Sequence, residues 1–381
     1  MTSKIRGRAS AGRMHPGSVI MLALFLGSRI AAADVTSDSA AAIVVYPVIL
    51  VAGDNCVDTL VQLSNTSSES VIARCFYVNA TGRCSTTGQV CFSGAQCPGG
   101  ICLPQWRETD FNVRLTPRQP LTWLASEGLS AFCTPTQTPG ERCIPLNGTS
   151  RRGTNGASNA GTRIPPVNDD PFIGELKCIA VDEQYRPTDR NVLVGSATIE
   201  EVCRDCLDVT RHNAIGIQAV VGANNGDNTL VIGEEYNACP HTLIVNHYFD
   251  GATSPVTGDP IFGALALVPC SEDFVMQDRN LTPITAQFLV FNEFEQRLSA
   301  STSVQCYASF PLSGIDTTQP TRSIFHVGVA GSLVGQTRVH GVGTGGHGLL
   351  GAYFDLHGSH SSAANLHFQG TSDRPDIIRL P

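Results

Sequence analysis

The chain has 381 residues and a formal net charge of −8, from 25 basic and 33 acidic side chains. Charged residues make up only 15%, while 42% hydrophobic residues allow a core and argue against wholesale disorder. This composition excludes a coiled coil, a nucleic-acid-binding tail and a polytopic membrane protein, but it selects no activity.

The first 33 residues have the three parts of a secretory signal peptide. Four basic residues lie within the first 13 positions, an apolar run follows at 19–26, and Ala31-Ala32-Ala33 supplies a small-residue cleavage site. The apolar run is about half the roughly 20 residues that span a bilayer, so we predict cleavage. We expect a secreted, periplasmic or cell-surface protein with no transmembrane segment after cleavage.

Cleavage after Ala33 would remove five basic and no acidic residues, which leaves 20 basic and 33 acidic side chains and a net charge of −13. Such an acidic protein repels nucleic acids and anionic membranes, so neither is an expected partner. Lys177 is then the only lysine, and we interpret the preference for arginine as coding bias.

All the cysteines follow the predicted signal peptide. An even number of cysteines in an exported chain indicates disulfide bonds, although their pairing does not follow from the sequence. The 14 candidates are Cys56, Cys75, Cys84, Cys91, Cys97, Cys102, Cys133, Cys143, Cys178, Cys203, Cys206, Cys239, Cys270 and Cys306.

Two cysteine clusters have alternative interpretations. Four cysteines lie close together between Cys84 and Cys102, and we predict a disulfide-closed lobe rather than a zinc site, because only the last pair has a usual ligand spacing. Cys203 and Cys206 have the C-x-x-C spacing of redox-active thiols, but they follow a predicted strand instead of beginning a helix. We favour a structural bridge there, with thiol-redox chemistry as a weaker hypothesis.

Short β-branched runs separated by turn residues dominate the chain, and no long segment has helical periodicity. The pattern predicts an all-β protein of two antiparallel, immunoglobulin-like β-sandwich domains. The predicted strands are 42–51, 57–63, 71–78, 110–115, 120–125, 173–181, 191–202, 214–221, 229–233, 242–248, 262–269, 286–294, 303–310, 323–334, 349–356, 365–369 and 377–380.

We predict an N-terminal sandwich at 34–205 and a C-terminal sandwich at 206–381. The first contains the Cys-rich insertion at 84–102 and a flexible loop at 134–171, which is rich in turn-forming residues. In the second, Asn225-Gly226 predicts a type I′ hairpin between two strands.

Five stretches together carry a resemblance: DTLVQLSNT at 58–66, RCFYVN at 74–79, YNACP at 236–240, FNEFEQR at 291–297 and GQTR at 335–338. The chain resembles a group of exported bacterial proteins with no assigned activity, and the opening strands alone also resemble immunoglobulin-like surface modules. The resemblance implies secretion and β structure, and it supplies no catalytic residue.

Five histidines fall within 28 positions near the end of the chain, and imidazoles are the commonest metal ligands. His357, His360 and His347 are weak metal candidates, beside His340 and His367. Within one strand, His357 and His360 would point to opposite faces, and the glycine and serine around them suggest a loop. We interpret these side chains as solvated loop histidines.

Other motifs favour structural interpretations. If 287–296 is a strand, Glu293 and Glu295 share one face with Arg297, which indicates a solvated ion-pair stripe rather than a pair of catalytic carboxylates. Residues 341–346 match the letters of the dinucleotide fingerprint, but no helix follows, so we predict a glycine-rich strand connection. Oxygen-rich loops at 168–170 and 224–228 leave calcium open as a cofactor.

We therefore expect a structural or binding module of the cell envelope or surface that recognises an unknown protein or carbohydrate ligand. The lobe at 84–102 and the loop at 134–171 are the candidate recognition elements, because rigid sandwiches present function on loops. We assign no catalytic residue and, calcium aside, no cofactor. The alternative is a secreted hydrolase or metal-dependent enzyme that uses the C-terminal histidines with Asp355.

Overall fold

The computed structural model describes residues 35–36, 38–53, 56–91, 96–129, 163–202, 207–276, 283–316 and 323–381. The predicted signal peptide at 1–33, most of the predicted loop at 134–171 and the domain boundary at 205/206 lie outside these residues. The described strands belong to one compact unit. No helix in this part of the chain is long and apolar enough to cross a membrane.

Strands dominate the described residues, and the all-β prediction is confirmed. The strands are β1 Ile43–Val51, β2 Val57–Asn65, β3 Val71–Asn79, β4 Gly82–Cys84, β5 Val90–Cys91, β6 Cys102–Pro104, β7 Arg107–Leu115, β8 Pro120–Leu124, β9 Phe172–Val181, β10 Leu193–Val202, β11 Leu207–Asn213, β12 Ile215–Ile217, β13 Thr229–Ile232, β14 Pro240–Tyr248, β15 Ile261–Pro269, β16 Glu272–Asp273, β17 Ile284–Asn292, β18 Arg297–Val304, β19 Ala308–Pro311, β20 Val334–Val342, β21 Leu349–His357, β22 His360–Asn365, β23 His367–Thr371 and β24 Asp376–Arg379. Two single-turn helices are α1 Leu312–Ile315 and α2 Val327–Ala330.

Four antiparallel sheets carry most of these strands. Their strand orders are β12-β1-β9-β3-β7 for sheet 1, β11-β10-β2-β8 for sheet 2, β19-β15-β21-β22 for sheet 3 and β18-β17-β20-β14-β23 for sheet 4. Two small sheets complete the fold. One is β5-β4-β6, in the Cys-rich lobe, and the other is β13-β24-β16, in which β16 and β24 run parallel.

Sheets 1 and 2 face each other across a hydrophobic cluster that we call core 1. Side chains reach it from alternate strand positions, because successive side chains in a strand point to opposite faces. The Tyr77 ring lies 5.2 Å from Phe111 and 6.1 Å from Phe172 between centroids. Trp123 Nε1 donates a hydrogen bond of 2.6 Å to the Tyr77 hydroxyl, which gives both buried aromatic side chains a polar partner.

Sheets 3 and 4 enclose a second cluster, core 2. Strand β17 buries every second residue, and Phe288 from this strand packs edge-on against Phe325, with ring centroids 6.1 Å apart. The alternating positions of β17 and β18 are mostly exposed and polar. Sheet 4 therefore covers core 2 with one face and meets solvent with the other.

A third cluster, the seam, packs the second face of sheet 1 against the second face of sheet 3. Ile43 and Phe76 reach it from sheet 1, and Ala266 and Leu350 reach it from sheet 3. Strand β1 is thus buried on both faces, which explains its continuously apolar sequence. Its Pro47 is tolerated because the register shifts there by a β-bulge.

An ionic cluster is buried at the seam. Lys177 Nζ lies 2.9 Å from Glu175 Oε1 and 3.3 Å from the carbonyl oxygen of Pro269, and it makes a shorter contact with Glu272 Oε2. The three charged side chains are at most 4% exposed. Lys177 and Glu175 belong to β9 of sheet 1, whereas Glu272 follows β15 of sheet 3, so the contact joins the two sides of the seam.

The protonation of this cluster follows from its burial. Burial alone lowers the pKa of Lys177, but the two neighbouring carboxylates more than reverse this effect, so the net pKa is raised. Burial raises the pKa of Glu175 well above its ordinary value. Both glutamates contact the amine of Lys177, and burial favours the neutral form of Glu175.

Four disulfide bonds lie within the described residues, and the predicted disulfide-closed lobe is among them. They are Cys75–Cys178, Cys84–Cys97, Cys91–Cys102 and Cys239–Cys270. Cys75 and Cys178 are directly opposite residues of β3 and β9, so this bond joins neighbouring strands of one sheet instead of two facing sheets.

The remaining cysteines are of two kinds. Cys56 and Cys306 were predicted as disulfide candidates, but both carry free thiols, the first exposed and the second buried. The predicted bridge partners Cys133, Cys143, Cys203 and Cys206 lie outside the described residues.

Three strand predictions are wrong for local reasons. Asn225-Gly226 does not close a hairpin, because β12 pairs with β1 and β13 pairs with β24. The predicted strand at 303–310 is interrupted at Cys306, whose φ of 43° is in the left-handed region. The predicted strand at 323–334 contains helix α2, where the His326 side chain accepts a hydrogen bond from the Gly328 N–H.

We predict different reactivity for the two free thiols. Iodoacetamide added to the native, unreduced protein should label Cys56 but not Cys306, because burial shields the Cys306 thiol and raises its pKa above the ordinary value. Denaturation without reduction should expose Cys306 to labelling. Peptide mapping would contradict the structure if it found native labelling of Cys306, or labelling of a disulfide cysteine before reduction.

Candidate functional site

The late histidines do not converge on one point. β21 ends at His357 and β22 begins at His360, and the chain reverses between them at Gly358, whose φ is 64°. The two histidines are therefore direct cross-strand partners that share one face of the sheet. A single strand would have separated them, so the sequence argument based on opposite faces is wrong.

A second group of histidines lies near the C-terminal strands. The His340 ring lies 4.3 Å from His241 and 5.9 Å from His347 between centroids, and His347 Nε2 lies 3.5 Å from Asp373 Oδ1. His347 is buried, so the interpretation as a solvated loop residue is wrong for it. Among the described residues, no group of three ligand atoms within 4.8 Å of one another includes a histidine.

Asp355 contacts both His357 and Ser362, but the three side chains are not arranged as in a serine hydrolase. His357 Nε2 lies 3.2 Å from Asp355 Oδ2, and the Ser362 hydroxyl donates a short hydrogen bond to Asp355 Oδ1. In a serine hydrolase the histidine lies between the serine and the acid, because the imidazole takes the serine proton. Here the acid lies between the other two.

The protein uses the predicted calcium ligands for its own hydrogen bonds. Asn168 Oδ1 and Asp169 Oδ2 accept from Asn79 Nδ2 at 2.9 and 2.7 Å, and Arg83 pairs with Asp169 at 2.6 Å. In the segment 224–228, side-chain oxygens accept from backbone N–H groups two residues ahead. These contacts are the turn chemistry that Asn and Asp often supply, and calcium stays a prediction.

The predicted ion-pair stripe is a turn. Strand β17 ends at Asn292, whose Oδ1 accepts from the N–H groups of Phe294 and Gln296. Glu295 has a φ of 60°, so it does not continue a strand, and Glu293 accepts from the Leu333 N–H at 3.1 Å. The expectation that Glu293 and Glu295 share a strand face is therefore wrong.

The glycine-rich segment at 341–348 serves close packing. A Cβ at Gly341 would lie 2.0 Å from the carbonyl oxygen of His347, and one at Gly346 would lie 2.3 Å from Asp376 Oδ1. These glycines leave room for neighbouring backbone and for a buried carboxylate. Strand β20 leads into the segment and β21 leaves it, in agreement with the predicted strand connection.

A cleft of about 750 Å³ opens beside the edges of sheets 2, 3 and 4, and we call it the seam cleft. Its lining includes Thr36, His212, Pro240, Asn365 and Phe368. These residues come from distant parts of the chain, namely the segment before β1, strand β11 and the strands β14, β22 and β23. Only the packing of the sheets brings them together.

Hydrogen bonds between β11 and β22 fix one wall of the seam cleft. Asn365 Nδ2 donates to the carbonyl oxygen of Asn213 at 2.9 Å. At the other end of the two strands, the Ser361 N–H donates to Asp208 Oδ2 at 3.0 Å. These contacts hold the edge of sheet 2 beside the edge of sheet 3.

His212 is the central residue of this wall. It is 3% exposed, its ring lies edge-on to Phe354 at 5.8 Å between centroids, and neither ring nitrogen has a hydrogen-bond partner. The Oδ1 atom of Asn365 also lacks a partner. A buried polar group left without a partner costs about 1–3 kcal/mol, so a ligand that supplies partners would gain this free energy.

Burial lowers the pKa of His212 to about 4. The imidazole is therefore neutral at pH 7, and whichever nitrogen holds the proton, it offers one donor and one acceptor. Asn365 Oδ1 is a second acceptor, so the wall contains a small, uncharged set of buried polar atoms beside the aromatic rings of Phe354 and Phe368.

No local pattern in the sequence predicts this site. Strand β11 was not predicted, because Asp208-Val209-Thr210-Arg211-His212 is mostly polar and lies next to the predicted domain boundary. No local signal marks His212, whose importance comes from its burial. His367 and the neighbouring Asn365 were noticed only as parts of a late histidine group and a strand.

Comparison with known proteins gives no family assignment. No family model matches the chain, and no curated protein matches it significantly.

We predict that His212 makes stability depend on pH. Its pKa is about 4 when folded and about 6.5 when unfolded, so the unfolded chain binds the proton more tightly and the folded state loses stability as the pH falls from 6.5 to 4. Urea unfolding at several pH values should show that His212→Gln removes roughly 3 kcal/mol of this loss.

Asn365→Ala is the matched control for this experiment. It changes the same wall of the cleft but removes no titrating group, so its pH dependence should equal that of the wild type. Equal pH dependence in His212→Gln and the wild type would contradict the buried, neutral state of His212.

Proposed function

We propose that this protein is an exported structural or binding module of the cell envelope or surface, and that the seam cleft binds a neutral, hydroxyl-rich ligand such as a carbohydrate. The observation that carries the proposal is the buried imidazole of His212 with both nitrogens unpartnered in the wall of the cleft. The unpartnered Oδ1 of Asn365 adds a further acceptor there.

The polarity of the wall selects the ligand class. Hydroxyl groups both donate and accept, so they match one imidazole donor and two acceptors without a charge. A charged ligand would lose its hydration without gaining an opposite charge from the neutral imidazole. An anion would also be repelled by the net negative charge of the protein. The cleft volume of about 750 Å³ falls in the range of small-molecule sites.

Several observations support export. The described residues hold four disulfide bonds, which persist in oxidising compartments, and the sequence begins with a segment typical of signal peptides. Membership of a group of exported bacterial β-rich proteins is part of the proposal, on the strength of the five resembling stretches alone.

We also propose that the chain is built from two β-sandwiches, one around core 1 and one around core 2. The two pairs of facing sheets support this division. An immunoglobulin-like origin is supported only by the opening strands, and the Cys75–Cys178 bond within one sheet departs from the inter-sheet disulfide of antibody domains. The Cys-rich lobe remains a second candidate for recognition, since it exposes Ile101 and Leu103.

We predict that His212→Phe weakens ligand binding at least tenfold. The phenyl ring keeps the bulk of the side chain but removes one donor and one acceptor, and the loss of one hydrogen bond of about 1.4 kcal/mol is a tenfold change in affinity. The measurement is a screen of the full exported protein against neutral oligosaccharides, followed by calorimetry on the best binder.

The exposed His360→Phe is the matched control, since it makes the same chemical change away from the cleft. It should bind as the wild type does. The proposal fails if no neutral saccharide binds the wild type, or if His212→Phe binds as tightly as His360→Phe does.

A further inference from the structure

Lys177 is the only lysine beyond position 4 of a chain that otherwise uses arginine for its basic side chains. The difference is chemical. A lysine amine becomes a nucleophile once it loses a proton, whereas a guanidinium stays protonated in proteins. The one side chain with this capacity is buried in the seam with two glutamates, where it is 1% exposed.

The three side chains are arranged so that Lys177 and Glu272 could react with each other and Glu175 could carry protons between them. Lys177 Nζ contacts Glu272 Oε2 more closely than it contacts Glu175 Oε1, which lies at 2.9 Å. Glu175 precedes Lys177 by two residues on the same face of β9, and its Oε2 has no partner. The three side chains are at most 4% exposed, although Glu272 also lines a cavity of about 230 Å³ beside Ser271 and Cys306.

We propose that Lys177 and Glu272 are joined by an amide bond between Nζ and Cδ, which forms inside the folded protein with the loss of one water molecule. The ammonium group first gives a proton to the carboxylate, and the resulting neutral amine attacks Cδ of the carboxylic acid. The C–N bond forms, the C–OH bond breaks, and nitrogen loses a second proton. No oxidant or reductant is needed, since the products are one secondary amide and one water.

Glu175 moves the protons in this step. Its Oε1 lies 2.9 Å from Lys177 Nζ, where it can accept the proton from nitrogen. Burial raises its pKa and so favours the acid form, which can protonate the departing hydroxyl of Glu272.

The bond would join β9 of sheet 1 to β16 beyond sheet 3, across 95 positions of sequence. It would hold the two sides of the seam together even in the denatured chain, as a disulfide does but without sensitivity to reduction. An exported surface protein gains resistance to reductants and proteases from such a bond. The inference is independent of the proposed ligand, because Glu175, Lys177 and Glu272 are not among the residues that line the cleft.

The single lysine makes the test direct. The exported protein is denatured, reduced, alkylated and digested with an endoproteinase that cleaves only after unmodified lysine. If Lys177 is free, cleavage gives two fragments. One ends at residue 177 and the other begins at residue 178. The amide blocks cleavage, so we expect one uncut chain that is lighter than its sequence mass by one water, and tandem mass spectrometry should locate the link at Lys177 and Glu272.

Three variants control the experiment. Arg114→Lys places a second lysine in an exposed position, where it should be cut in every preparation and so show that the protease acts. Glu272→Ala removes the acceptor and should restore cleavage at Lys177. Glu175→Gln removes the proton carrier and should leave Lys177 cleavable in most of the freshly exported protein.

The digest of the wild-type protein tests the amide bond even if Glu272→Ala or Glu175→Gln fails to fold. Complete cleavage at Lys177, with the full sequence mass, would overturn the proposal and leave a non-covalent ion pair. Resistance to cleavage with the link mapped to another carboxylate would also overturn it.

Discussion

The buried contact of Lys177 with Glu175 and Glu272 is the constraint on which the packing of the protein depends. The lysine lies in an apolar layer, and its carboxylate partners come from both sides of that layer, Glu175 from sheet 1 and Glu272 from the segment after sheet 3. Breaking a buried ion pair by removing one partner costs about 3–5 kcal/mol, because it leaves a buried charge uncompensated. The second faces of sheets 1 and 3 are therefore held together by the contacts of Lys177 as well as by apolar packing. Through the seam, core 1 is connected to core 2.

The seam cleft follows from the same packing. When sheets 1 and 3 meet face to face, the edge strands β11 and β22 come side by side, and their hydrogen bonds leave a concave surface next to β23. His212 is buried because it lies at this junction, and its burial gives the cleft a neutral imidazole with unpartnered nitrogens. The structural core and the proposed binding site are thus consequences of one arrangement of sheets, and the rigid frame keeps the polar atoms of the cleft in place.

Local sequence signals predicted most strands and none of the tertiary relationships. Alternation and turn residues located β2, β3 and β17 to within a few residues. The apolar run 42–51 predicts a strand that is either buried or at an edge, and in the structure this strand, β1, is buried. The mostly polar β11 has no such signal. Asn225-Gly226 predicts a hairpin that does not form, because the Asn224 and Asn225 side chains accept from backbone N–H groups within a loop. No local pattern predicts the roles of Lys177 and His212, since the role of each depends on residues far away in the sequence.

Hydrogen exchange followed by mass spectrometry tests most directly whether the seam couples the two cores, by comparing the wild type with Lys177→Met. The account predicts that β9 in core 1 and β17 in core 2 exchange with the same free energy of opening in the wild type, and that the substitution lowers both together. It would be contradicted if the two strands opened with different free energies in the wild type, or if Lys177→Met destabilised β9 and left β17 unchanged.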